Sequence, residues 1–161
     1  MSLRLYIVRH GKAERDSATG RDSDRPLRPR GIHQATWLGQ RLASGDKPPR
    51  IILSSPFVRA LDTARILHQA VACPLEIFDQ LAVGPEPGEV VELIRVHAHV
   101  KALAVVGHNP QLSELALNLA EPSSAAPREL RTGEAFVIDF KSQVAPGQGR
   151  FRESLRMDND D

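Results

Sequence analysis

Short apolar runs alternate along this chain with stripes of helical period, and few architectures accommodate that alternation. Residues 3–8 (LRLYIV) and 102–106 (ALAVV) are mostly apolar, rich in β-branched side chains and too short for buried helices, so both read as strands. Residues 51–53 and 135–140 (AFVIDF) supply two more. Between the strands, Ile32, Ala35, Leu38 and Leu42 recur at helical spacing until Gly45. Phe57, Leu61, Ala64, Leu67 and Val71 form a second stripe behind the helix-start signal Ser55-Pro56. A third runs through Val90, Leu93, Ile94 and Ala98 after the turn-rich GPEPGE at 84–89, and a fourth, Leu112, Leu115, Ala116 and Leu119, follows Asn109-Pro110. Strands alternating with helices predict an α/β fold, a three-layer α/β/α sandwich whose central sheet is mostly parallel. Residues 12–30, polar and broken by Gly20, Pro26 and Pro29, read as a long surface loop. With no repeat or linker, one catalytic domain is expected over 1–156, followed by a frayed acidic tail at 157–161.

Composition narrows the function classes. A chain of 161 residues with 41% hydrophobic and 25% charged residues has the mass for one ordinary core. Lys and Arg number 21 against 20 for Asp and Glu, so no global field recruits nucleic acid or an anionic membrane. Aromatics at 4% leave few platforms for stacking bases. Any electrostatic function is therefore local. No apolar run approaches the roughly 20 residues of a membrane span, and charge interrupts the amino-terminal stretch too early for a signal peptide. Cys73 is the sole cysteine, which excludes an intrachain disulfide and a CxxC site and suits a reducing cytoplasm.

In open α/β sheets ligands bind beyond the carboxyl ends of the strands. Arg9-His10 and Gly107-His108 each directly follow an apolar strand, so the fold brings both to one rim. Arg9-His10-Gly11 sets a fixed cation beside an imidazole, which is a competent nucleophile, and the glycine permits close approach to the backbone. Alone, the tripeptide also fits a charged strand end running into a turn. Arg59 lies about one turn inside the second helix, where first-turn amides already favour an anion; alone, it equally fits a solvated surface arginine. His108, alone, fits a capped and buried histidine without a role. His97 and His99 are two apart and make a poor metal pair on a helix, His33 and His68 fall within helix patterns, and no metal or cofactor is expected.

Together, RHG at 9–11, SSPFVRALDTA at 54–64 and VVGHNP at 105–110 resemble the histidine phosphatase superfamily, in its phosphoglycerate-mutase-like branch. The compact length, DRPLRPRG at 24–31 and the GHNP form are similar to the short phosphohistidine phosphatases of the SixA type, over residues 3 to 140. The resemblance implies a phosphoglycerate-mutase-like fold and a nucleophilic His10 that becomes a transient phosphohistidine. Arg9, Arg59 and His108 would surround the phosphoryl oxygens, two guanidiniums and an imidazolium taking their charge without metal. Arg25 is implied as a further phosphate or substrate contact, though it equally fits a solvated loop charge, and Asn109 as a substrate contact beside His108. Larger relatives carry an acid after the third strand that protonates an alcohol leaving group; Glu89 is the nearest match here, and it equally fits a first-turn helix carboxylate. The function implied is metal-independent dephosphorylation of phosphohistidine on a partner protein, because no insertion is long enough to enclose a small molecule. A small-metabolite phosphomonoesterase is the alternative, a mutase lacks the lid and the acid, and a non-catalytic phosphate-binding regulatory domain is the rival from another class.

Overall fold

In a computed structural model that describes residues 2–124 and 128–157, the first apolar run forms β1 (Leu3–Arg9), one of the two central strands of a six-stranded sheet. Its two-residue alternation decides which helices cover which face. Leu3, Leu5 and Ile7 enter a core with Val90 and Ile94 of α3 (Pro87–His97) and Leu112 and Leu115 of α4 (Gln111–Leu119). Tyr6 and Val8 enter a second core with Leu38 and Leu42 of α1 (Pro29–Ser44) and Ala64 and Leu67 of α2 (Val58–Val71). β4 (Ala102–Gly107) alternates in the same way, Leu103 and Val105 against Ala104 and Val106, so the three-layer sandwich follows from the two central strands.

The strand order is β3 (Leu75–Ile77), β2 (Ile52–Ser54), β4, β1, β5 (Ala135–Phe140), β6 (Arg150–Leu155). β3 through β1 are parallel neighbours, while β5 runs antiparallel to β1 and β6 antiparallel to β5. The two edge strands are absent from the sequence reading. β3 is three residues long with none buried, and β6 (RFRESL) is half charged, which suits an edge and leaves no apolar run to notice.

Helix starts shift by a few residues. α1 begins at Pro29, and Ile32 is 46% exposed; the buried face is Gly31, Gln34, Ala35, Leu38, Gly39 and Leu42. Gln34 belongs there because its Oε1 accepts the Lys12 amide at 2.9 Å. α2 begins at Val58, and the Ser55 hydroxyl accepts the Phe57 amide at 3.1 Å without capping the helix. The 12–28 loop carries a single bridge between Ala13 and Leu27 and a 3-10 turn at Asp22–Asp24. Of the expected tail, residues beyond Met157 lie outside those described.

The turn after β1 rests directly on α1. A Cβ on Gly31 would sit 2.2 Å from the Lys12 carbonyl oxygen, and one on Gly11 would sit 2.6 Å from that of Gly31. Backbone there meets backbone, so the glycine after His10 serves a packing contact within the chain. Gly31→Ala is expected to cost about 1–3 kcal/mol by overpacking and to lower activity with it, since Gly11 carries His10; an unchanged Tm in thermal unfolding would contradict this.

Candidate active site

β1 and β4 are parallel neighbours with Arg9 opposite Gly107, so the residues that follow, His10 and His108, stand side by side with ring centroids 5.3 Å apart. The backbone fixes both. The His10 amide donates to the Gly107 carbonyl at 3.1 Å, and the Gly133 amide donates to the carbonyls of Arg9 at 3.1 Å and His10 at 2.9 Å. One carbonyl, that of Leu130, accepts from Arg9 Nη1 at 3.2 Å and from Asn109 Nδ2 at 2.6 Å, tying the two rim segments to a third. On the other side of β4, β2 ends with Ser54 opposite Val106 and delivers Ser55 and the start of α2 to the same rim.

His10 is 7% exposed, and its Nδ1 lies 2.7 Å from the Gly11 carbonyl oxygen. A carbonyl only accepts, so Nδ1 holds the proton and Nε2 holds the lone pair. Arg59 Nε donates to that Nε2 at 3.3 Å. Burial pushes the His10 pKa down to about 4, against the Gly11 hydrogen bond, and the Arg59, Arg9 and Arg25 cations push it the same way as burial. The ring is therefore neutral near pH 7, with burial rather than the neighbouring cations as the larger cause.

His108 is 3% exposed, and burial first, then His10 and Arg59, push its pKa down to about 3. These surroundings push the ring toward its neutral form, whereas the expectation was an imidazolium, and the fixed positive charge of the rim comes from arginines. Its Nε2 lies 2.8 Å from Ser55 Oγ, and the Phe57 ring packs at 5.0 Å.

Arg59 is the second residue of α2 and 5% exposed. Nη1 donates to the Asp22 carbonyl at 2.8 Å and Nη2 to the Asp22 carboxylate at 3.2 Å. Arg25 donates from Nη1 to the same carboxylate at 2.9 Å and from Nε to the Glu14 carbonyl at 2.7 Å. The structure thus brings Arg9, His10, Arg25, Arg59 and His108 together, with Asp22 bridging two of the guanidiniums. Those guanidiniums, Arg25 first, hold the Asp22 carboxyl below its usual range. Sequence reasoning missed Asp22, because nothing in its spacing separates it from Asp16 or Asp24 in the same loop.

Two further expected residues have their polar atoms engaged within the fold. Asn109 borders the cavity beside His108, but its Oδ1 accepts from the Ser113 amide at 3.1 Å and hydroxyl at 2.7 Å, and its Nδ2 serves Leu130. Its polar atoms brace α4 against the 129–130 segment while the residue itself borders the cavity. Glu89 is the third residue of α3, where it accepts the Glu86 amide at 3.3 Å while Glu86 caps the helix in return. The cavity beside His108, about 340 Å³, is bordered by Glu86, Gln111 and Glu114 and not by Glu89. Glu86-Pro87 is itself a cap-then-proline signal, which could have placed the helix start and hence Glu86. Among the described residues, no three His, Cys, Asp or Glu side chains are grouped as a metal site requires, and no helix is long and apolar enough to cross a membrane.

The comparisons with known proteins agree with this arrangement. Residues 5–82 match the family model described as histidine phosphatase superfamily (branch 1). An uncharacterised protein of Mycobacterium tuberculosis is 38% identical over 117 residues, 72% of each chain. Among solved structures, the protein histidine phosphatase SixA complexed with tungstate superposes with a TM-score of 0.81 at 23% identity, covering 96% of this chain and 97% of that one. A mycobacterial glucosyl-3-phosphoglycerate phosphatase superposes with a TM-score of 0.69 at 15% identity, over 94% and 97% of the two chains. Matching family sequence, a SixA-like three-layer fold and a rim that joins RHG to GHNP lead to one conclusion: the chain belongs to the histidine phosphatase superfamily.

Proposed function

We propose that this phosphatase works without metal through a phosphohistidine intermediate on His10, and that it removes phosphoryl groups from phosphohistidine on a partner protein. The observation that carries the reading is His10 itself: a buried, neutral ring tied through Nδ1 to Gly11, with its Nε2 lone pair beside Arg59. In the first step Nε2 attacks phosphorus, and the bond to the leaving nitrogen breaks with its electron pair. Water then attacks the phosphohistidine and releases inorganic phosphate. Arg9 and Arg59 take charge on the equatorial oxygens with His108 as a hydrogen-bond donor, and Arg25 holds the outer side. A partner-borne substrate suits a scaffold whose match to SixA spans nearly all of both chains at a higher TM-score than the match to the metabolite phosphatase.

The deciding assay presents phosphohistidine proteins and small phosphate esters to the purified protein in EDTA. The phosphohistidine proteins are expected to show the higher kcat/KM, undiminished by chelation. Preference for an ester would move the assignment to a small-metabolite phosphomonoesterase. Phosphate binding with no turnover would leave the non-catalytic regulatory domain, and loss in EDTA restored by a divalent ion would refute the metal-free chemistry.

The leaving group separates two roles for the acidic loop. A histidine ring protonated at its other nitrogen departs neutral, whereas an alkoxide gains from a proton donor. Glu89 is engaged in its capping box away from the cavity. Glu89→Gln, which keeps an acceptor for the Glu86 amide, is therefore expected to leave hydrolysis of both substrate classes little changed. A loss on the order of 10² with every substrate would make Glu89 a general acid.

A further inference from the structure

Ser55 is fully buried at the end of β2, and its position is over-determined. Its amide donates to the Val106 carbonyl at 3.0 Å, and its own carbonyl accepts from the Ser54 hydroxyl at 2.9 Å. Its Oγ receives the Phe57 amide at 3.1 Å and stands 2.8 Å from His108 Nε2. A hydroxyl has one proton to give. With the Phe57 amide already donating into Oγ, that proton has Nε2 as its acceptor. In the reverse arrangement Nε2–H would donate to Oγ, and the hydroxyl proton would be buried without a partner, a cost that native interiors avoid. Nε2 therefore accepts and the ring proton sits on Nδ1. Nδ1 is buried and has no protein partner.

We infer that Ser55 is a positioning residue that holds His108 as its Nδ1–H tautomer, so that the ring donates a hydrogen bond to the transferring phosphoryl group and does not supply the leaving group's proton. The inference rests on the reading of this rim as a phosphoryl-transfer site, where an unpaired N–H donor faces an incoming oxyanion. The two histidines then hold complementary tautomers. His10 keeps Nδ1–H on a backbone carbonyl and exposes a lone pair at Nε2; His108 keeps its lone pair on a buried serine and offers Nδ1–H. The groups that face His108 favour the neutral ring: Arg9 and Arg59 repel a proton, as does any charge on His10, and Asp22 opposes them. Glu86 and Glu114 border the adjoining cavity. A His108 in the other tautomer would set a lone pair against a phosphoryl oxygen, trading a donor for repulsion.

Two-bond nitrogen–proton NMR correlations on histidine-labelled protein read the tautomer directly, with His108 assigned by loss of its signals in His108→Gln. The wild-type protein is expected to show a protonated Nδ1 and an unprotonated Nε2. Ser55→Ala should shift His108 toward the other tautomer and lower kcat roughly 10- to 10²-fold with little change in KM, part of what one preorganised donor supplies. Ser55→Thr, which keeps a hydroxyl, should restore the wild-type pattern. A protonated Nε2 in the wild-type protein would overturn the inference even if neither variant folded, as would Ser55→Ala with an unaltered spectrum and rate. Absence of wild-type turnover alongside an Nδ1–H spectrum would instead overturn the phosphatase chemistry and leave the tautomer assignment standing.

Discussion

His10→Ala is expected to lower turnover by on the order of 10⁴-fold or more, as removal of a nucleophile does where the remaining groups only bind and polarise. Brief quenching with phosphorus-labelled substrate should trap label on the wild-type protein that acid removes and base spares, because a phosphoramidate is acid-labile. The variant should trap none. Acid-stable label on Ser54 or Ser55 would overturn the mechanism. The same ring sets the acid limb of the pH profile. Burial pushes its pKa down to about 4 from an ordinary 6.5, so the ring of the free protein stays unprotonated well below neutrality, and kcat/KM, which reports the free protein's groups, should fall as pH drops through about 4. Stability runs in the same direction. His10 and His108 are buried neutral, so below about pH 6.5 the unfolded chain binds more protons than the folded one, and stability is lost as pH falls toward 4. Denaturation curves at each pH separate the two effects, and a kcat/KM midpoint near 6.5 in protein that is still folded would contradict the buried neutral ring.

The architecture was legible where packing writes itself into short-range pattern. β1, β4 and β5 are covered on both faces and so are apolar almost throughout, and α3 and α4 bury the stripes their spacing shows, whereas α2 buries Arg59, Ala60 and Thr63 with Ala64 and Leu67 and leaves the expected Leu61 and Val71 half-buried. Edge strands β3 and β6 carry no such signature, because one side of each faces solvent. Ile32 misled because α1 uses Gly31 and Gln34 on its buried face, where close backbone approach and a hydrogen bond to Lys12 matter more than hydrophobicity. At the candidate site, the meeting of Arg9, His10, Arg59 and His108 at one rim was legible because strand ends and a helix start locate them. Asp22 and Ser55 were not assigned to the site because their roles depend on the fold of a 17-residue loop over Arg59 and on one 2.8 Å contact across β2 and β4, and neither leaves a spacing to read. The push of His108 toward its neutral form is hidden from the sequence for a related reason. Sequence shows which cations stand near a histidine, whereas burial, the larger cause, appears only in three dimensions.

Arg59→Ala is expected to lower kcat by roughly 10²- to 10³-fold, the usual loss for one preorganised donor aimed at developing charge. Arg59 contacts the proposed nucleophile, with Nε on His10 Nε2, and fans Nη1 and Nη2 toward Asp22, so its planar fork spans the space between His10 and the loop. An incoming phosphoryl group that takes those donors competes with a carboxylate whose side chain is 57% exposed and can turn to water. Lysine offers a single point charge in place of the fork, and Arg59→Lys should therefore recover only a small part of the rate. The fold should persist in both variants, since the guanidinium's ion pair with the exposed Asp22 contributes little to stability. Arg25 provides the internal control. It is held by the Glu14 carbonyl and the same carboxylate, with its own side chain 28% exposed and no direct bond to His10, so Arg25→Ala should raise KM more than it lowers kcat. Steady-state kinetics and thermal unfolding on the three variants decide the matter. An Arg59→Ala protein that is unfolded would give the residue a structural role, and an Arg25→Ala loss in kcat as large as that of Arg59→Ala would place both guanidiniums on the transition state.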